Sequence, residues 1–168
     1  KEQGSDEVVH PNDDVNKSQS SNDTYPTAMY VALMTAVEEK TIPSLKVLRD
    51  TFKEKEEKFQ DIIKIGRTHL QDATPLSLGQ EVGGWRYSLD KSLEMINESK
   101  KQLANLAIGG TAVGTGLNAH PEFGDRVAAQ ISKQTGLEFV SSENKFHALS
   151  QYDEVVYFHG ALKALAGD

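Results

Sequence analysis

The sequence predicts an all-α protein built as an elongated bundle of long helices. Apolar residues recur at spacings of three and four along about 27–63 and again along 78–106, which is the pattern of an amphipathic helix. Strand-like alternation is nearly absent, and only residues 138–140 hint at extended chain. Long apolar stripes need partner helices to cover them, so a bundle is favoured over a compact α/β domain.

The composition narrows the class of protein further. The 168 residues include no cysteine, which excludes disulfides and thiolate metal sites. The formal net charge of -7 disfavours nucleic acid as a partner, because phosphate binding needs clustered Lys and Arg. No apolar run reaches the roughly 20 residues of a membrane helix, so no membrane partner is expected.

The first helical stretch follows a polar region. Residues 1–25 are rich in Asn, Asp and Ser and predict a loop region, whereas 26–168 predict the helical bundle. We expect helix from about Thr27 to about Ile63. It should kink or split near Thr41, because Pro43 removes a backbone hydrogen-bond donor.

The second stretch predicts one helix over 78–106, some 29 residues or about 43 Å in length. Trp85 lies in phase with the apolar stripe and is expected in the core or in an interface. Two shorter helical patterns follow, over 123–131 and 146–165. The members of the long stripe are Leu78, Val82, Trp85, Leu89, Leu93, Ile96, Leu103 and Leu106.

Three polar segments lie between these helices, at 10–24, 66–75 and 109–120, and loops at helix ends commonly carry binding groups. In the first segment, Ser20, Ser21 and Asn22 stand just before a helix. Their side chains can cap the free backbone N–H groups, and the same helix end can bind a carboxylate. The sequence leaves capping and anion binding as alternatives.

The second segment places His69 beside Thr68 and near Asp72. An imidazole has a pKa near working pH, so His69 can serve as a general acid or base or can hold a water molecule. A solvated surface histidine is the alternative, since the partner that would orient the ring is not evident from the sequence.

The third segment is rich in glycine, and Gly114 to Ala119 match the pattern G-x-G-x-x-A. No strand is predicted before it and Pro121 follows closely, so a dinucleotide-binding turn is disfavoured. Close backbone approach is the better account of the glycines. The remaining histidines, His120, His147 and His159, are isolated along the sequence, and no metal site is predicted.

Taken together, the three segments resemble class II fumarases. The stretches HPNDDVNKSQSSND, GRTHLQDATPLSLGQE and GGTAVGTGLN occur in the order and at the separations of that family, and the similarity covers essentially the whole chain. The family usually has Glu where His147 stands. Aspartase, the nearest rival, typically reads NPND, SQSTN and GRTQLQD, whereas this chain has His10, Ser21 and His69.

The resemblance implies the central helical domain of the fumarase/aspartase fold and the reversible hydration of fumarate to (S)-malate in the tricarboxylic acid cycle. It implies that substrate carboxylates bind Ser20, Ser21, Asn22 and Thr68, and that His69 holds the reacting water as the catalytic residue. It also implies a second anion site, formed by His10, Asn12 and Asp13. No cofactor is expected, and the implied assembly is a homotetramer in the cytoplasm, or in mitochondria.

The same resemblance implies that parts of the active site lie outside this chain. The family's catalytic base is a serine on a loop similar to GSSIMPGKVN, and a further substrate loop is similar to SGT; neither occurs in these 168 residues.

Two alternatives to a fumarase stay open. One is an aspartase, and the other is that the isolated chain is a helical oligomerisation core without catalysis.

Overall fold

The structure is a computed structural model that describes residues 9–168, and the chain is 64% helical with long helices and only small sheets. The predicted all-α fold class is therefore confirmed. Residues 1–8 of the predicted loop region lie outside the described residues. The α-helices are α1 (Ser21–Ala36), α2 (Ile42–Lys58), α3 (Leu78–Lys100), α4 (Phe123–Thr135), α5 (Lys145–Ser150) and α6 (Asp153–Leu165). The strands are β1 (Ile63–Thr68), β2 (Gln71–Ser77), β3 (Asn105–Leu106) and β4 (Val140–Ser141).

The described chain forms two compact units, each made from two stretches of sequence. The first unit comprises the described residues up to Thr35 together with Gln102–Val155, and the second comprises Ala36–Lys101 together with Val156–Asp168. The division into a loop region 1–25 and a bundle 26–168 stays a prediction about the organisation of the longer protein.

Helix α1 begins at Ser21, earlier than the predicted start near Thr27. The later start is expected from Pro26, because proline disfavours helix at the residue before it. In the structure, Pro26 is buried inside α1, because capping by the residues ahead of it starts the helix upstream. A π-helical segment, Val37–Thr41, separates α1 from α2, which confirms the predicted break near Thr41.

A β-hairpin follows α2, and the sequence argument missed it. Helix ends at Lys58 rather than near Ile63, and β1 then pairs antiparallel with β2. Gly66 forms an irregularity in the ladder, where an added Cβ would lie 2.7 Å from the Thr74 carbonyl oxygen. The predicted loop 66–75 is therefore largely strand. The short parallel pair β3·β4 partly confirms the hint of extended chain at 138–140.

Helix α3 has a capped N-terminus and is shorter than predicted. Ser77 and Gln80 form a reciprocal capping box at its first turn. The helix has 23 residues, about 34 Å, and gives way to a 3₁₀ turn, Lys101–Ala104, and then to β3. The prediction of a single helix over 78–106 was thus wrong at its C-terminal end, since Leu103 lies in the 3₁₀ turn and Leu106 in β3, although both keep the α-helical spacing.

Helices α2 and α3 pack together in the second unit and bury most of the long stripe. Trp85, expected in the core or in an interface, is 52% exposed and contacts Phe52 edge to face, with 6.2 Å between the ring centroids. Ion pairs between Arg86 and Glu56 and between Arg49 and Asp90 join the two helices at their edge. The buried members of the interface include Leu45, Val82, Leu89, Leu93 and Ile96.

The shorter helical patterns are also confirmed, with one division. Helix α4 ends at Gly136, which takes the left-handed conformation (φ 71°) common after a helix C-terminus. The C-terminal pattern is split into α5 and α6. Among the described residues, no helix combines the length and the apolar character that crossing a membrane requires.

Candidate functional site

The start of α1 carries the first group of predicted site residues, in the first unit. The Ser20 hydroxyl oxygen accepts a hydrogen bond from the backbone N–H of Asn22 at 3.2 Å. In return, the Asp23 carboxylate accepts the backbone N–H of Ser20 at 2.9 Å. This reciprocal pair is a capping box, so the capping alternative is confirmed for Ser20. Ser21 and Asn22 are exposed at the same helix end.

A polar cavity lies beside this helix end. It has a volume of about 310 Å³ and is lined by hydroxyl and amide side chains. The positive end of the α1 dipole and these neutral donors together suit a small anion such as a carboxylate. Anion binding and capping are therefore compatible here, because a capping hydroxyl keeps its own proton to donate. The lining residues are Asn16, Gln19, Ser20, Ser21 and Thr24.

The glycine-rich segment 109–118 lies against the same helix end. The Asn22 side-chain amide donates to the Ala112 carbonyl oxygen at 2.7 Å, and the Ser18 hydroxyl donates to the Asn118 carbonyl oxygen at 3.3 Å. A series of left-handed residues bends this segment. They are Gly109, Thr111, Gly114, Gly116 and Asn118.

The strand β3 does precede the glycine-rich segment, which corrects the expectation that none would. The pattern still lacks the second part of a dinucleotide-binding turn, because the next helix, α4, begins only at Phe123. Close backbone approach is confirmed: a Cβ added at Gly109 would lie 2.8 Å from the Gly124 Cα.

The second group of predicted site residues lies at the tip of the hairpin, in the second unit. Thr68 ends β1 and pairs with Gln71, and His69 and Leu70 form the two-residue turn. Both turn residues have positive φ, 49° and 59°, as a type I′ turn requires. This conformation is uncommon for bulky residues, and such outliers often occur at functional sites. His69 and Thr68 are exposed.

The residues of the predicted second anion site lie ahead of α1. The backbone N–H of Asp13 donates to the His10 ring nitrogen Nδ1 at 3.3 Å, and an Asp13 carboxylate oxygen lies 3.1 Å from the same nitrogen. Asp14 accepts the backbone N–H of His10. The structure brings His10 and Asp13 together at a short, exposed π-helical segment, Pro11–Val15, whereas the Asn12 side chain lies outside what the structure describes.

His147 is less isolated than its sequence position suggests. Its ring nitrogens lie 3.3 Å from Asp153 and 3.8 Å from Glu154 at the start of α6. One ligand atom from each residue can be chosen so that all three lie within 4.8 Å of one another, a spacing that a divalent cation could use. Tyr30 donates a hydrogen bond to the other oxygen of Glu154 at 2.8 Å.

Comparison with known proteins assigns the family. The family model described as "Lyase" matches residues 2–168. The chain belongs to this lyase family. The match covers nearly the whole chain, so the capped start of α1, the glycine-rich segment and the hairpin all lie within the matched residues.

The relatives of this lyase chain carry more specific names. It is 73% identical over all of its residues to a protein named "Fumarate hydratase class II" from Staphylococcus haemolyticus, and 71% identical to one of the same name from Staphylococcus aureus strain MRSA252. It superimposes with a TM-score of 0.93 on the crystal structure of recombinant class II fumarase from Schistosoma mansoni, with 38% identity over 95% of the chain.

The lyase chain spans 36% of the length of each of these three proteins. The activity, the substrate and the assembly of the whole protein are therefore inferences that go beyond the family assignment.

Proposed function

We propose that the protein to which this chain belongs is a fumarate hydratase, which interconverts fumarate and (S)-malate. The observation that carries the proposal is the 73% identity, over all 168 residues of the chain, to a relative named for that activity. The cavity at the start of α1 supports it independently, since neutral donors at a helix N-terminus suit a dicarboxylate.

The proposed roles follow from the charge that develops during the reaction. Removing a proton next to a carboxylate builds an enolate-like intermediate with extra negative charge, and preorganised neutral donors lower that barrier by several kcal/mol. Ser20, Ser21, Asn22 and Thr68 would bind substrate carboxylates. His69 would hold and polarise the water, because an imidazole exchanges protons near neutral pH.

Aspartase is the alternative enzyme, and His10, Ser21 and His69 favour fumarase over it by resemblance. The full-length protein decides between them when it is assayed separately with malate and with aspartate. We expect fumarate to form from malate, followed by its ultraviolet absorbance, and no ammonium release from aspartate. Turnover of aspartate alone would contradict the proposal.

We also propose that the full-length protein is a homotetramer in the cytoplasm. Trp85 on α3 and Leu48 on α2 support the assembly, because these large apolar side chains are 52% and 45% exposed among the described residues. Sedimentation velocity of the full-length protein tests the assembly: a stable monomer would contradict it.

The isolated chain, without the remaining loops of the family's site, is expected to show no turnover.

A further inference from the structure

Asp23 is the most deeply buried charged side chain near the candidate site, and the sequence argument did not select it. It is 0% exposed and lies on the first turn of α1. Burying an ionised carboxylate is strongly unfavourable unless hydrogen bonds replace its water. Asp23 meets that requirement by accepting three backbone N–H groups, one from nearby Ser20 and two from Gly109 and Thr111, which are far away in the sequence.

The two oxygens of Asp23 serve different segments. Oδ1 accepts the backbone N–H of Ser20 at 2.9 Å and so closes the capping box at the start of α1. Oδ2 accepts the N–H of Gly109 at 3.1 Å and the N–H of Thr111 at 2.8 Å. One carboxylate therefore fixes both the helix end and the glycine-rich segment, through charge-assisted bonds that are stronger than neutral ones.

The glycine-rich segment also packs closely against α4 and α5. Gly109 (φ 92°) packs so closely on Gly124 of α4 that an added Cβ would be 2.8 Å from its Cα. A Cβ at Gly114 (φ 99°) would lie 2.9 Å from the ring of Phe146. The Asp23 carboxylate thus joins the helix end to a segment that has little freedom to move.

We propose that Asp23 is a positioning residue, and that segment 109–118 serves as the rigid support on which Ser20, Ser21 and Asn22 are set to bind a substrate carboxylate. The inference rests on the proposed function for the identity of the substrate. It assigns a role to the glycine-rich motif, namely to hold the binding groups of α1 in place without contacting the substrate through its own side chains.

The central test is Asp23→Asn in the full-length protein. An amide has one oxygen that accepts and one NH2 group that does not, so the variant loses the bond either to Ser20 or to segment 109–118. Displaced binding groups weaken their hydrogen bonds to the charged substrate carboxylate, and losing one such bond lowers affinity by roughly 10- to 100-fold. We expect the KM for malate and fumarate to rise roughly 10- to 100-fold, with a smaller change in kcat.

Thr27→Val is the matched control for lost stability. The Thr27 hydroxyl donates to the backbone carbonyl of Asp23 at 2.7 Å and is buried on the same helix, but it bonds to neither Ser20 nor segment 109–118. Both variants should melt at lower temperature, and only Asp23→Asn should raise KM. An unchanged KM in Asp23→Asn, or an equal rise in Thr27→Val, would overturn the inference.

A second pair of variants keeps the test sharp if Asp23→Asn does not fold. Gly116 (φ 69°) and Gly136 (φ 71°) have almost the same left-handed backbone, so an alanine strains the backbone similarly at both, and at Gly116 the added Cβ would also lie 3.2 Å from the Gly109 carbonyl oxygen. Gly116 lies in the proposed support, whereas Gly136 ends α4 in open space. We expect Gly116→Ala to raise KM several-fold and Gly136→Ala to leave it unchanged. Equal KM values in the two variants would contradict the proposal that segment 109–118 supports the binding groups of α1.

Hydrogen exchange separates failure of this inference from failure of the proposed function. If the wild-type protein turns over neither fumarate nor malate, the proposed function is wrong and KM has no meaning. Peptide-resolved exchange still measures whether Asp23 couples the two segments. Asp23→Asn should speed exchange in residues 18–24 and 109–118 together, relative to Thr27→Val. Protection of both segments at the wild-type level would overturn the inference on its own.

Discussion

The side-chain amide of Asn22 donates a hydrogen bond to the carbonyl oxygen of Ala112 at 2.7 Å, between residues 90 positions apart in the chain. The amide group of Asn22, which is exposed at the start of α1, has a second N–H that this bond does not use. The bond to Ala112 therefore orients a group whose remaining donor we propose binds a substrate carboxylate.

Asn22→Ala in the full-length protein should remove that donor. A hydrogen bond to a charged group contributes about 1.5–3 kcal/mol, which corresponds to a fall in kcat/KM of roughly 10- to 150-fold. Asn144→Ala is the control, because Asn144 caps α5 by accepting the backbone N–H of His147. That variant should lower the melting temperature without changing kcat/KM, and steady-state kinetics with malate distinguishes the two.

His69→Asn should lower kcat more than it raises KM. The proposed interaction strengthens as charge develops in the transition state, and general acid or base groups contribute about two to four orders of magnitude in rate. Leu70→Asn is the matched control at the neighbouring turn position, since Leu70 is fully exposed and shares the left-handed backbone. Wild-type turnover by the His69 variant would remove His69 from the mechanism.

Gly114→Ala should destabilise the protein, and Gly160→Ala should stabilise it. At Gly114 the backbone is left-handed and Phe146 leaves no room for a Cβ, and the backbone strain alone costs about 1–2 kcal/mol. Gly160 lies inside α6 with open space around it, where alanine gains up to about 1 kcal/mol of helix propensity. Thermal unfolding of the two variants should shift in opposite directions; two shifts of the same sign would contradict this.

Tyr30→Phe should change how stability depends on pH. Burial, followed by the hydrogen bond to Glu154, raises the pKa of the Tyr30 hydroxyl above its ordinary value. The unfolded chain therefore releases this proton above about pH 10 while the folded protein retains it, so the hydroxyl's contribution is full below pH 10 and is lost as pH rises beyond it.

Melting temperatures at several pH values measure the effect. At pH 8 we expect the Tyr30→Phe variant to be less stable by about 1.5–3 kcal/mol, the contribution of one hydrogen bond to a charged group. The difference from wild type should narrow above about pH 10. A difference that stays constant across this range would show that Tyr30 does not titrate as its surroundings imply.

Much of the helical framework could be predicted from the sequence, because the spacing of apolar residues reports directly on a buried helix face. The same spacing misled at residues 103 and 106, where a 3₁₀ turn and a strand bury leucines that happen to continue the helical rhythm. The hairpin was missed because its turn consists of His69 and Leu70, whereas the usual signal for such a turn is Asn-Gly or Asp-Gly.

The candidate site was predicted only in part, for a related reason. Ser20 and Asn22 could be recognised from their place at the start of a helix, but the role of Asp23 depends on Gly109 and Thr111, which lie more than 80 residues away. The local signal was present, since Asp23 stands three residues after Ser20 as in a capping box. No local sequence pattern reveals that the other carboxylate oxygen of Asp23, Oδ2, accepts hydrogen bonds from Gly109 and Thr111.

Proton NMR of the full-length protein incubated with fumarate and ammonium together tests the central claim most directly. Both possible products are then accessible in one tube, and water and ammonia compete for the same double bond. The proposed function predicts the signals of malate at equilibrium with fumarate, and no aspartate. Accumulation of aspartate without malate would contradict it and would identify the protein as an ammonia-lyase instead.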